Sequence, residues 1–270
     1  MRKMKKKRNK LNIASSLKES ACRFSQYVRK AYWLELTAIE PIYFASKEVS
    51  NYYLTEGIIG NYALAYAFQW CKSLYRLSRQ DNHKPRYLED FASLVQEQYA
   101  YILPAWPKEE SVKYITQSYN CLSDSYWYGI MLNRLATDRK AYAQGKKTHR
   151  SFRPANFPQY GQIRLIAQDN VFHSIAFGNH YIPNYCRVGK FMSKVKVEIL
   201  TELDIIAMPY GKYTANVLLN TADLPREIEV LSYNLITILP VSLMKNLLFE
   251  GNAWQVGNFV MPAGLGFCAW

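Results

Sequence analysis

Residues Asn156–Leu200 read NFPQYGQIRLIAQDNVFHSIAFGNHYIPNYCRVGKFMSKVKVEIL, and the alternation within this stretch decides the fold class. From Lys194 to Leu200 the apolar Val195, Val197 and Ile199 alternate with Lys194, Lys196 and Glu198, the period of two that marks a strand with one buried face. The two lysines therefore share the exposed face. Upstream, Gly161–Ala167 and Val171–Phe177 are two further short strands separated by Gln168-Asp169-Asn170, turn chemistry that predicts a hairpin. Arg187 and Lys190 flank Gly189, a residue free to take positive φ and to bring backbone close to a neighbour or ligand. Tyr160, Tyr181 and Tyr185 lie close by. Cations interleaved with flat rings, on a strand and the loop leading into it, suit a phosphate backbone with unstacked bases better than a small metabolite. The bland alternative for Arg187–Lys196 is a sheet edge guarded by lysines.

Working outward, Ala31–Ile39 alternates and is a first strand closed by Pro41. Tyr43–Glu56 reads as a polar connection, and Asn61 as the N-cap of a helix in which Leu64, Ala67, Phe68, Cys71 and Leu74 recur at helical spacing. Tyr87–Tyr99 is a second short helix, Ala100–Ile102 a brief strand, and Val112–Tyr119 alternates again. After the Lys194 strand, Leu203–Met208 continues the sheet past a bend. Leu235–Leu239 is a strand, Val241–Leu248 a short helix after Pro240, and Phe259–Phe267 a final strand with Gly264 and Gly266. Strands outnumber helices without regular alternation, which predicts an α+β antiparallel sheet rather than a doubly wound fold.

A chain of 270 residues, 49% hydrophobic and 15% aromatic, can bury a full core. Its net charge of +13 is unevenly spread: residues 1–30 and 139–196 carry +10 each, against −3 for 31–138 and −4 for 197–270. That clustering is an electrostatic footprint for a polyanion. Residues 1–29 read as a basic flexible arm, and 30–270 as one domain with a thumb or loop elaboration within about 108–160. The arm's acid-poor, serine-containing character also fits an organelle transit peptide. Five widely spaced cysteines with no C-x-x-C pair indicate reduced thiols, a cytoplasmic setting and no zinc site. The longest apolar runs are about half a membrane span, so no membrane association is expected.

Chemistry-bearing motifs are sparse. There is no phosphate-cradling G-x-x-x-x-G-K-[ST], no G-x-S-x-G and no strand-following G-x-G-x-x-G. Four histidines lack metal-ligand spacing; His173, among apolar neighbours, reads as a core histidine. In the basic loop Arg139–Arg153, His149 beside Lys146, Lys147, Arg150 and Arg153 is the one candidate for general acid–base work. The expected protein is non-catalytic, without metal or cofactor. The runner-up is a metal-independent endoribonuclease acting through that loop, and a third class is a ribosome- or organelle-associated RNA protein.

Four ordered segments carry a family resemblance: Tyr43-Phe44-Ala45-Ser46-Lys47-Glu48, Asn61-Tyr62-Ala63-Leu64-Ala65-Tyr66-Ala67, Tyr160-Gly161-Gln162-Ile163-Arg164, and Arg187-Val188-Gly189-Lys190-Phe191-Met192-Ser193-Lys194. Together they resemble the CRISPR type I-D Cascade subunit that caps the five-prime end of the guide RNA, a member of the RAMP superfamily. The resemblance runs from about Lys30 to the C-terminus and leaves out the basic stretch before it. It implies a ferredoxin-like, RNA-recognition-motif-like antiparallel sheet with helices on one face and a protruding thumb hairpin. It also implies binding to the crRNA handle, proximity to target DNA at the PAM-proximal end, and assembly with large, backbone and guide-processing subunits. Its motifs place Lys47, Asn61, Tyr62 and Arg164 beside Tyr160, Tyr185, Arg187, Lys190, Lys194, Lys196 and the basic loop as RNA-binding candidates.

Overall fold

The computed structural model describes residues 30–49, 52–71, 87–120 and 160–266. Among the described residues, fifteen strands and two α-helices follow in chain order: β1 (Ala31–Ala38), β2 (Lys47–Val49), β3 (Tyr52–Leu54), α1 (Asn61–Ala67), α2 (Tyr87–Gln98), β4 (Tyr101–Ile102), β5 (Trp106–Pro107), β6 (Tyr114–Asn120), β7 (Tyr160–Ile166), β8 (Val171–Phe177), β9 (Tyr185–Val188), β10 (Ser193–Leu203), β11 (Ile205–Thr214), β12 (Leu219–Asn220), β13 (Glu229–Ile236), β14 (Leu243–Val256) and β15 (Phe259–Pro262). They form three sheets. Six strands run β4-β8-β1-β10-β9 with β5 also on β8; five gather around β14; four run β2-β3-β7-β6. Apart from the parallel pair β3/β7, every strand pairing between these elements is antiparallel, so the mostly antiparallel, helix-poor α+β class holds.

The alternation in the opening stretch is realised in the six-stranded sheet as far as Val197, whereas Ile199, expected on the same buried face, is exposed. Leu34, Leu36 and Ala38 of β1 and Val195 and Val197 of β10 are buried, because their side chains fall on one face of two paired strands. Helix α1 packs across the sheet's two edges, β9 and β4, and touches α2. Leu64, Phe68, Phe91, Leu94 and Val95 complete that core. On the opposite face His173 is partly buried, with Nε2 3.3 Å from Glu35 Oε2 and its ring edge-on to Trp33.

Several expectations need correction. The turn Gln168–Asn170 does form, with Asp169 at φ +62° and Asn170 Nδ2 donating to the Ala167 carbonyl at 2.8 Å. Its two strands, however, do not pair with each other. β7 pairs with β6 and β3 and β8 with β1 and β4, so the chain changes sheet there, each strand having both edges already taken. Residues past Leu203 likewise enter another sheet, β11 pairing with β14. Val241–Leu248 is not a helix: from Leu243 onward it belongs to the 14-residue β14, flanked by β11 and β12 on one edge and β13 and β15 on the other. Its alternation is masked at Lys245-Asn246, where Asn246 takes φ +56°, and resumes at buried Leu247, Phe249 and Ala253. Tyr43–Glu56 is not a plain connection, since it holds β2 and β3 and buries Tyr43 and Tyr53. The predicted strand at Leu235 starts earlier, at Glu229, and the last one ends at Pro262.

Helix α1 is shorter than its periodicity suggests: it ends at Ala67, and Leu74 lies outside the described residues. Asn61 is not its N-cap. Gly60 occupies that place without a side-chain cap, and the Asn61 side chain turns inward. Residues 1–29 and the basic loop of 139–153 lie outside the described residues. The connection between the paired strands β6 and β7, where the thumb is expected, lies outside them too.

Candidate nucleic-acid interface

A cavity of about 870 Å³ lies where the start of α1, the β9–β10 turn and the loop at 238–241 meet. Six of the sequence candidates line it: Asn61, Tyr62, Tyr185, Arg187, Lys190 and Lys194. Two stretches more than 120 residues apart in the chain thus build one site.

The β9–β10 turn is fixed by close backbone approach. Gly189 has φ +75°, and a Cβ there would sit 2.6 Å from the Tyr43 carbonyl oxygen, so no other residue fits without displacing backbone. Lys190 N–H donates to that same carbonyl at 2.9 Å, and Ser193 Oγ to the Pro41 carbonyl at 2.6 Å. Arg187 donates to the Met192 carbonyl at 2.8 Å and lies 3.9 Å from Glu40. The Lys194 ammonium stands 4.3 Å from the centre of the half-exposed Tyr185 ring, a cation–π contact. Desolvation lowers the pKa of Lys190, with Glu48 acting the other way.

On the inner side Tyr62 and Tyr87 stack with centroids 6.0 Å apart at 20°, and Tyr66 meets Tyr87 edge-on. Beneath them is a buried polar cluster. Asn61 Nδ2 donates to Asp223 Oδ2 at 2.6 Å, as does the Tyr101 hydroxyl at 3.0 Å; Asn220 Nδ2 donates to Asn61 Oδ1 at 2.9 Å. Burial pushes the fully enclosed Asp223 carboxyl up to about 7, against the pull of its two hydrogen bonds. Asp223 Oδ1 is buried without a hydrogen-bond partner. Sequence reading missed Asn220, Asp223, Tyr66 and Tyr87. The Asn220-Thr-Ala-Asp223 run signals only a capped turn, in which Asn220 Oδ1 accepts from Ala222 N–H.

The other candidates stand elsewhere. Lys196 is opposite Tyr185 on β10 but off the cavity and 2.7 Å from Glu198. Lys47 pairs with Glu56 at 2.5 Å. Arg164 lies over the Tyr114 ring at 4.3 Å and donates to the Thr55 carbonyl at 3.2 Å, bracing the four-stranded sheet. Tyr160 opens β7 by backbone pairing with Asn120; its side chain, with Lys146, Lys147, His149, Arg150 and Arg153, lies outside the described residues. Among the described residues no group of three His, Cys, Asp or Glu side chains is placed to hold a metal ion, and no helix is long and apolar enough to cross a membrane.

A family model described as Type I-D CRISPR-associated protein Cas5/Csc1 matches residues 29–270. The chain belongs to that family. Its matched span covers every candidate residue and starts where the basic stretch ends. No curated protein matches the chain. Among solved structures, one chain of "Cryo-EM structure of the Type III-B Cmr-beta bound to cognate target RNA and AMPPnP, state 1" is similar at 10% identity and a TM-score of 0.38, covering 81% of this chain and 86% of that one. So distant a likeness assigns no role to any residue of this Cas5/Csc1 family member.

Proposed function

We propose that this chain is a non-catalytic RNA-binding subunit of a type I-D Cascade interference complex, holding the five-prime handle of the crRNA. The observation that carries the reading is the convergence of Arg187, Lys190, Lys194 and Tyr185 with Asn61 and Tyr62 on one cavity. Three cations at a mouth lined by rings match a single-stranded phosphate chain with bases turned out of stack. The β9-β10-β1 core, with α1 and α2 following β1, supports the ferredoxin-like part of the proposal. The antiparallel β6/β7 stem, joined in sequence to the basic block, supports the thumb. Family membership supports crRNA, target DNA and the large, backbone and guide-processing subunits as partners, in the cytoplasm.

Absence of catalysis is part of the proposal. Burial pushes the thiols of Cys71 and Cys186 up to about 12, which leaves them protonated and poor nucleophiles. The test is to express the chain with its neighbouring gene products, purify the complex and assay handle RNA binding, then incubate the chain alone with labelled repeat RNA in chelator. Co-purified, handle-dependent RNA without cleavage is expected. Cleavage lost in His149→Ala would replace the proposal with the endoribonuclease.

A further inference from the structure

Among the described residues β13 pairs with β14 alone, so its other edge presents backbone donors and acceptors that no strand takes up. Edge strands ordinarily blunt that edge with lysine or proline. The sequence of β13, EVLSYNLI, holds neither, and Glu229 is its one charge. Val230, Leu231, Tyr233 and Leu235 are each between 38% and 52% exposed. Leu231 is an inserted residue, since Val230 and Ser232 stand opposite the consecutive Phe249 and Leu248, and it adds apolar surface where a guarded edge would carry a charge. An unguarded, apolar edge is the template for strand addition by another chain.

Charge selects the occupant. Glu229 lies opposite Glu250 on β14, an unfavourable cross-strand pairing of like charges. Glu250 has Lys212 of β11 at 3.7 Å, whereas among the described residues no cation is paired with Glu229. The net charge of −4 over residues 197–270 repels a phosphate chain, which excludes RNA. A second copy would bring the same carboxylate to the edge and no cation. We propose that β13 is the docking edge for an extended segment of a protein partner, which adds a strand there with alternate apolar side chains and sets a Lys or Arg against Glu229 and Glu250. Because β13 runs into the loop at 238–241 that lines the cavity, the docked strand ends beside the RNA-binding site.

The experiment uses the complex purified by co-expression with the neighbouring gene products. Hydrogen exchange at β13 amides should be slowed about tenfold or more in the complex relative to the chain alone. With Tyr233 replaced by photoreactive benzoylphenylalanine, the crosslink should fall on a protein subunit, in a segment with Lys or Arg among apolar residues. Leu231→Asp and Glu229→Lys should each reduce that subunit's share of the complex about tenfold or more, with the melting temperature of the chain alone unchanged. A crosslink to RNA, to a second copy or to residues 1–29 of this chain overturns the proposal, as does a chain that co-purifies with no protein. A complex that holds RNA but leaves β13 unprotected overturns this proposal alone. A complex with β13 protected and crosslinked as expected but without RNA supports it and overturns the RNA-binding reading alone.

Discussion

Asp223 is the residue where burial and hydrogen bonding oppose each other most directly. Enclosure favours its neutral form, and the bonds from Asn61 and Tyr101 do not fully offset this, so its carboxyl titrates at about 7 rather than near 4 as in an unfolded chain. Between those values the unfolded state holds fewer protons, so the contribution to stability is full below about pH 4 and is lost as pH rises toward 7. Asp223→Asn should remove this dependence. Thermal melts from pH 4 to 8 should show the wild type losing a few kcal/mol relative to the variant, and parallel curves would place an ionised carboxylate there. At the cavity mouth, Lys194→Ala should flatten the salt dependence of RNA binding by about 0.7 in log–log slope. Lys196→Ala, off the cavity and paired with Glu198, should leave the slope nearly unchanged. Equal slopes for the two would mean that the phosphate path follows the open sheet face instead. Gly189→Ala forces a side chain into positive φ against the Tyr43 carbonyl; it should cost at least about 1–2 kcal/mol by denaturant titration, with RNA affinity falling as the turn shifts.

At the scale of the element, α1 is specified by its packing more than by its ends. Leu64, Phe68 and Cys71 were legible from helical spacing and are all buried, although Phe68 already stands at the C-cap. Phe68→Ala should therefore cost about 3–5 kcal/mol, the range for truncating a buried aromatic; a loss under about 1 kcal/mol would put that ring at the surface. The strands of the opening stretch were equally legible, because period-two burial is a local property of one strand. Pairing was not. Gln168-Asp169-Asn170 makes the turn its residues demand, yet the flanking strands part into different sheets, since a hairpin needs free edges as well as a turn. The strand β14 was misread for a related reason. Asn246 at positive φ interrupts its alternation, and only the four strands lining its edges make the extended form the one that satisfies its backbone.

For the whole molecule, the six-stranded sheet and the sheet around β14 share one continuous core, in which Phe177 and Trp254 meet with centroids 6.4 Å apart. Unfolding followed by tryptophan fluorescence and by far-ultraviolet circular dichroism should thus give coincident, single transitions; separated midpoints would mean the sheets are independent domains. Charge clustering, the strand-rich pattern, the cations around Gly189 and the family motifs were determined by the sequence itself. Each is a property of residues near one another in the chain, where side-chain period and composition act directly. Only the tertiary structure decided that Asn61 turns inward instead of capping its helix, that Asn220 and Asp223 lie beneath it, and that Lys47 and Arg164 brace another sheet. Those outcomes depend on which distant groups compete for the same hydrogen bond or the same buried space. Asn61 has a cap's chemistry, but its Oδ1, the atom a cap would offer to its own helix, accepts from the Asn220 amide 159 positions away in the chain, while its Nδ2 donates to the buried Asp223.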